Sequence, residues 1–154
     1  MRKFWKSENT LIIMCGLPGS GKSTIAKKIS EKTGIRIFCM DDIREKVFHD
    51  VYNQDNGWVV FKILLKHVRR ELKKGNSVII DCTSVTKRDR KRYLDEFKGL
   101  YKNSCCIFLN TSLDECKARN KKRDKTIPEE RIDHFNDKLQ APSYDEGFTY
   151  LEVI

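Results

Sequence analysis

Gly16-Leu17-Pro18-Gly19-Ser20-Gly21-Lys22-Ser23 is the stretch on which the fold turns. It fits G-x-x-x-x-G-K-[ST], follows an apolar run at 11–15 and leads into a helical pattern at 22–32. Strand, glycine-rich turn and helix in that order form a phosphate cradle. Glycines let the backbone curl until several N–H groups face one concavity, and the helix that starts near Lys22 adds the positive end of its dipole. In such a loop Lys22 reaches the β- and γ-phosphates of a nucleoside triphosphate, the Ser23 hydroxyl ligates Mg²⁺, and Thr24 touches the α-phosphate. Triphosphate binding is the expectation; the plainer alternative is a glycine-rich turn that caps an ordinary helix.

Outward from the loop, strand and helix signals alternate. Further strands are expected at 36–39, 77–81, 104–109 and 148–153. Helices are expected at 41–48, at 58–72 with apolar residues at 58, 61, 65, 68 and 72, at 86–97, and at 112–123. In the last of these Ser112 and Glu115 have the spacing of a capping box. Pro128 opens a final helix that runs to about Leu139. Continuous apolar strands separated by helices imply an α/β fold with a parallel sheet covered on both faces. Residues 1–154 read as one domain with a leader at 1–10; loops 50–57 and 124–127 are the candidate mobile segments.

The composition narrows the class. In 154 residues there are 31 Lys+Arg and 22 Asp+Glu, a formal charge of +9 that suits an anionic partner such as nucleic acid or nucleotide. No apolar run approaches the ~18 residues of a membrane-spanning helix. The basic start is followed by polar Ser7-Glu8-Asn9-Thr10 where a signal peptide needs an apolar stretch, so a cytoplasmic chain with no membrane partner is expected. The six cysteines include no Cys-x-x-Cys pair and no zinc spacing, and read as buried free thiols. His49, His67 and His134 stand alone and none is taken as catalytic.

Three further segments carry chemistry. Asp81 ends the apolar run Val78-Ile79-Ile80, where a carboxylate holds the P-loop serine or a Mg²⁺-bound water; a turn or capping Asp is the alternative. Asp41-Asp42-Ile43-Arg44 follows the second strand, at the carboxyl edge where ligands bind. A carboxylate there accepts the proton of an attacking hydroxyl, and an arginine one turn on holds an anion of the same substrate. The alternative is an acidic helix start with an i,i+3 ion pair. Arg119-Asn120-Lys121-Lys122-Arg123 leads into a polar loop, the composition of a lid over about 112–128 in which Arg119 and Arg123 share a helix face; a solvated basic helix end has the same composition. Thr86 to Tyr93 is a dense basic helix start, read as a solvated face with internal Asp89 and Glu96 pairs or as a polynucleotide contact. Phe4 and Trp5 among lysines are candidate base-stacking residues, or a leader packed on the sheet.

From about Leu11 onward the chain resembles the 5′-kinase domain of phage and animal polynucleotide kinases. The resemblance rests on Gly16 to Thr24, on Asp41-Asp42-Ile43-Arg44, on the approach to Asp81-Cys82-Thr83, on the Arg119 to Arg123 segment, and on Pro142-Ser143-Tyr144-Asp145-Glu146-Gly147-Phe148. It implies a three-layer P-loop kinase sandwich with five parallel strands in the order 2-3-1-4-5. It implies transfer of the ATP γ-phosphoryl to the 5′-OH of DNA or RNA ends, for nucleic-acid end repair. Asp41 would be the base, Arg44 would bind the acceptor's 3′-side phosphate, and Lys22, Arg123 and Mg²⁺ would offset charge on the moving group with help from Arg119. The sequence departs from the family at Ser84, where Asn is usual, and at Cys82, where the phage enzymes carry Asp. The 3′-phosphatase signature D-x-D-G-T does not occur, so a kinase-only form is expected. Rival readings are a P-loop kinase of a small-molecule hydroxyl (nucleoside, sugar or antibiotic) and a non-kinase ATP-dependent nucleic-acid binder.

Overall fold

The structure, a computed structural model, describes residues 8–51 and 55–154; the leader aromatics Phe4 and Trp5 lie outside that range. Its elements alternate as the apolar runs demand. β1 (Thr10–Cys15) leads through the glycine-rich loop to α1 (Lys22–Thr33) and β2 (Arg36–Phe38). α2 (Met40–Phe48), α3 (Gly57–Lys73) and β3 (Val78–Ile80) follow, then α4 (Lys87–Glu96) and β4 (Asn103–Phe108). α5 (Leu113–Lys121), α6 (Glu129–Lys138), a 3₁₀ turn (Tyr144–Glu146) and β5 (Tyr150–Val153) complete the chain. The five strands stand in the order β2-β3-β1-β4-β5. Every pairing is parallel, with Ile12 beside Ile79 on one side and Cys105 on the other.

The central strand explains the two-sided core. All six residues of β1 are buried, and alternation sends them to opposite faces. Leu11, Ile13 and Cys15 pack with Val60, Leu64, Val68, Leu72, Leu94 and Phe97, which seats α3 and α4 on one face. Ile12 and Met14 pack with Ala26 and Ile29 of α1 on the other. Each such aliphatic side chain, fully buried, contributes about 1.5–3 kcal/mol. A third cluster, Leu17, Val85, Cys116 and Ile132, joins the loop to α5 and α6. No helix among the described residues is long and apolar enough to cross a membrane.

Several expectations need correction. Strand β5 begins at Tyr150; Phe148 is buried just before it. Trp58 belongs to the first turn of α3 but not to its apolar face: it is 63% exposed, while Val60, Phe61, Leu64 and Val68 are buried. The basic helix α4 is not wholly solvated. Thr86 and Asp89 form its N-terminal capping box, Glu96 pairs with Arg69 of α3, and Arg90 is fully buried. The six cysteines are free thiols, with Cys39 and Cys82 only partly buried.

Candidate active site

β1, β2, β3 and β4 deliver their successors to the same carboxyl edge of the sheet. There the loop after β1 curls tightly, with Gly16, Gly19 and Gly21 at φ of 150°, 82° and 103°. Gly19 is required twice over. Its φ lies in the left-handed region, and a Cβ on it would sit 2.5 Å from the carbonyl oxygen of Cys116 in α5. The Ser20 carbonyl accepts hydrogen bonds from the Thr111 hydroxyl at 2.9 Å and from Arg119 Nη1 at 3.1 Å, so β4's exit and α5 both pin the loop tip.

Lys22 folds back into the loop. Its Nζ donates to the carbonyls of Gly16 and Leu17 at 2.9 and 2.8 Å. Burial pushes its ammonium below the usual range, opposed by the nearby Asp81 carboxylate. The next residue, Ser23, donates from Oγ to Asp81 Oδ2 at 2.7 Å. Burial raises the Asp81 carboxyl above its ordinary value, against the Ser23 hydrogen bond and the Lys22 charge. Serine hydroxyl and carboxylate are hard oxygen donors, and Mg²⁺ takes one or two of these and completes its shell with waters and substrate phosphates. The pair therefore fits a Mg²⁺–triphosphate. Among the described residues no group of three or more His, Cys, Asp or Glu could hold a metal by itself.

α2 starts directly after β2 and brings Asp41 and Arg44 to the same edge. Arg44 Nη1 donates to Asp41 Oδ1 at 2.6 Å. The two differ in burial: the Asp41 side chain is 66% exposed and that of Arg44 only 10%. The i,i+3 ion pair thus exists, and it presents the carboxylate outward from a buried guanidinium whose Nε has no hydrogen-bond partner among the described residues.

The lid segment differs from its expected form. α5 ends at Lys121, so Arg123 lies in the bend beyond it and does not share a helix face with Arg119. The cause is Asn120, which is buried and turns its amide to Ile127: Nδ2 donates to the Ile127 carbonyl at 2.8 Å, and Oδ1 accepts from the Ile127 N–H at 3.1 Å. This clamp ties off residues 122–126 as a loop. Ser112 caps α5 through the Glu115 N–H, but the Glu115 carboxylate pairs with Arg119 and so does not close a capping box. Arg119 hydrogen-bonds the P-loop; Arg123 is exposed. From the same loop, Lys125 approaches Glu45 of α2 at 3.7 Å.

The profile of the AAA domain family matches residues 11–142. The chain belongs to that family. Among curated proteins, this P-loop kinase domain is 29% identical over 157 residues to the bifunctional polynucleotide phosphatase/kinase of Schizosaccharomyces pombe, covering 98% of this chain and 35% of that protein. It is 29% identical over 143 residues to the L-seryl-tRNA(Sec) kinase of Methanococcus maripaludis, covering 86% of this chain and 53% of that one. Among solved structures it superposes on a chain of the Pnkp1/Rnl/Hen1 RNA repair complex with a TM-score of 0.77 and 25% identity, over 86% of this chain and 44% of the other. The chain thus spans about a third to a half of the length of these relatives. A shikimate kinase of Leptospira biflexa also matches. The P-loop kinase domain is polynucleotide-kinase-like in sequence and fold.

One determinant of this kinase domain escapes sequence reading. Arg90 Nε and Nη2 each donate to the Glu146 carboxylate at 2.8 Å, and Arg90 also bonds the carbonyls of Ser84, Val85 and Gln140. It ties the loop after β3, the α6 exit and the 3₁₀ turn to one buried guanidinium. Ser84 has φ 44° and lends its carbonyl, not its hydroxyl, to this knot. The only local signal is Glu146 inside the tail that resembles polynucleotide kinases.

Proposed function

We propose that this domain is an ATP-dependent polynucleotide 5′-hydroxyl kinase acting on DNA or RNA ends. The observation that carries the proposal is the Asp41–Arg44 pair, an exposed carboxylate held by a buried arginine at the same sheet edge as the phosphate cradle. The likeness to the fission-yeast phosphatase/kinase supports it. Asp41 accepts the proton of the 5′-OH as its oxygen attacks the γ-phosphorus. The bond from that phosphorus to the β,γ-bridging oxygen breaks, and ADP departs with the oxygen. Lys22 exchanges the Gly16 and Leu17 carbonyls for β- and γ-phosphate oxygens. Mg²⁺, bound with ATP, offsets phosphate charge, and Ser23 and Asp81 are the residues that would hold it, Asp81 through water. Arg119 and Arg123 add positive charge from the lid, and Arg44 holds the phosphate on the acceptor's 3′ side.

The match to a shikimate kinase favours a second reading, a small-molecule hydroxyl acceptor. One assay separates the two. Radiolabel from γ-³²P ATP is offered to a 5′-OH oligonucleotide, a nucleoside, shikimate and gluconate with Mg²⁺ present. Labelling of the oligonucleotide at its 5′ end is expected. Labelling only of a small molecule overturns the proposal, and labelling of nothing would favour an ATP-dependent binder.

A further inference from the structure

We propose that the exposed face of α3 is a rail for the backbone of the acceptor polynucleotide, with Trp58 as a base-stacking platform at its active-site end. The proposal rests on the polynucleotide reading above. α3 is strongly two-sided. Val60, Phe61, Leu64, Val68 and Leu72 are buried on one side, while Trp58, Lys62, Lys66, Arg69, Arg70 and Lys73 recur at the three- and four-residue steps of the opposite side. The only acidic residue of the helix, Glu71, lies on the buried side, engaged by Arg36, Lys74 and Asn76. Nothing on the outer stripe of the helix itself therefore offsets its charge.

Three observations make this more than a solvated helix. First, Lys66, Arg69, Arg70, Lys73 and Lys74 line a groove along the second half of α3. Glu96 takes Arg69, but among the described residues no ion pair engages Lys66, Arg70 or Lys73. Second, positive potential is concentrated there: His67 is held below its usual pKa by burial and then by Arg70, Arg36, Lys66 and Lys46. Third, Trp58 is 63% exposed with the Lys62 ammonium 4.2 Å from its ring centre. A ring beside a cation offers one nucleotide both a stacking surface and a phosphate contact.

The rail joins the acceptor site. α3 packs on α2, which carries Asp41 and Arg44, and α3 leads into the amino end of β3, so its first turn, with Trp58, is directed toward the carboxyl edge. With 17 residues the helix is about 25 Å long. At about 3.4 Å per nucleotide along a stacked strand it serves about seven nucleotides, so the basic stripe continues the path of a strand whose 5′ end lies at Asp41.

The test measures binding of a 3′-fluorescein-labelled 5′-OH 20-mer to the full chain, without ATP, by anisotropy from 50 to 200 mM KCl. For K66Q/R70Q/K73Q the affinity at 50 mM should fall at least tenfold. Three lost phosphate contacts should also make the slope of log K on log[salt] shallower by about two. W58A should weaken binding about tenfold with the slope unchanged, and the triple variant should phosphorylate a 3′-phosphorylated nucleoside, which is too short to reach the second half of α3, as well as the wild type does. No binding by the wild type, or equal affinity and slope in the triple variant, overturns the rail. So does displacement by polyglutamate as effective as by unlabelled oligonucleotide, which would point to an acidic protein partner. Failure of the kinase reading looks different: the wild type binds the 20-mer and the variants weaken it, yet no 5′-OH is phosphorylated.

Discussion

Arg90 and Glu146, 56 residues apart in the chain, meet in a two-pronged ion pair with both distances at 2.8 Å and side chains 0% and 6% exposed. It closes the sheet edge from behind, because Arg90 also reaches Cys15 Sγ, at the end of the strand that feeds the P-loop.

Glu146→Ala should therefore destabilise the fold by about 3–5 kcal/mol, since it leaves a buried guanidinium without its countercharge. Glu146→Gln, which keeps one acceptor, should cost less. Urea denaturation checks both. A midpoint unchanged in the Ala variant would show that the pair contributes nothing.

How much of this was legible beforehand depends on how local the cause is. The P-loop reads directly because glycines, Lys22 and Ser23 act within one turn of each other, and the buried β1 beside it reads from its apolar run. Strand order does not follow from periodicity; here it was expected through resemblance alone. Arg90 is hidden because Lys87, Arg88, Lys91 and Arg92 surround it with the same composition, and its partner is remote. The end of α5 is hidden for a similar reason: Asn120 stops the helix by bonding Ile127, a contact no helix propensity encodes. Trp58 fits the apolar period but lies on the side of α3 away from the sheet, while Val60 in the same turn is fully buried.

The donor and base assignments separate cleanly. Lys22→Ala should abolish phosphoryl transfer with the fold intact, because Lys22 bonds only two carbonyls of its own loop and is not part of the apolar core. Asp41→Asn should lower kcat by roughly 10²–10⁴-fold with ATP affinity little changed. Collapse of ATP binding in the Asp41 variant would move that residue to the metal or to a structural role.

Asp81 gives a pH signature. Its carboxyl is held above the ordinary 3.8 chiefly by burial, so the folded chain keeps this proton more tightly than the unfolded chain. The group's contribution to stability is full below the unfolded value and is lost as pH rises through the raised folded value. Asp81→Asn, which still accepts from Ser23, should be more stable than wild type at pH 7.5 and lose that advantage by pH 4, while transfer activity falls. Urea midpoints at both pH values decide it; a gap independent of pH would be the contrary result.

The lid arginines should differ, because Arg119 is bonded to the loop before ATP arrives and Arg123 is exposed. Arg119→Ala removes the bond to the Ser20 carbonyl and should raise the ATP KM. Arg123→Ala should lower kcat much more than it raises KM, because its charge is needed only when the phosphoryl group moves. Steady-state kinetics at saturating acceptor distinguish the two, and an Arg123 effect on KM alone would make it an ordinary ground-state contact.

Arg44 decides between polynucleotide and small-molecule acceptors. Its guanidinium is buried and already bonded to Asp41, so an acceptor whose hydroxyl meets Asp41 brings any neighbouring anion within reach of the same arginine. In a polynucleotide that anion is the phosphate on the 3′ side of the first nucleotide. A charge-assisted contact of this kind is worth roughly 1.5–3 kcal/mol, or about one to two decades in kcat/KM. A 3′-phosphorylated nucleoside should then be a far better acceptor than the bare nucleoside. Arg44→Ala should erase most of that difference and, by releasing Asp41, also slow the bare nucleoside. Arg44→Lys should recover the charge but not the fork geometry, and so only part of the preference. If the wild type phosphorylates both nucleosides equally, Arg44 serves only to hold Asp41, and the acceptor is a small hydroxyl compound without a phosphate at that position.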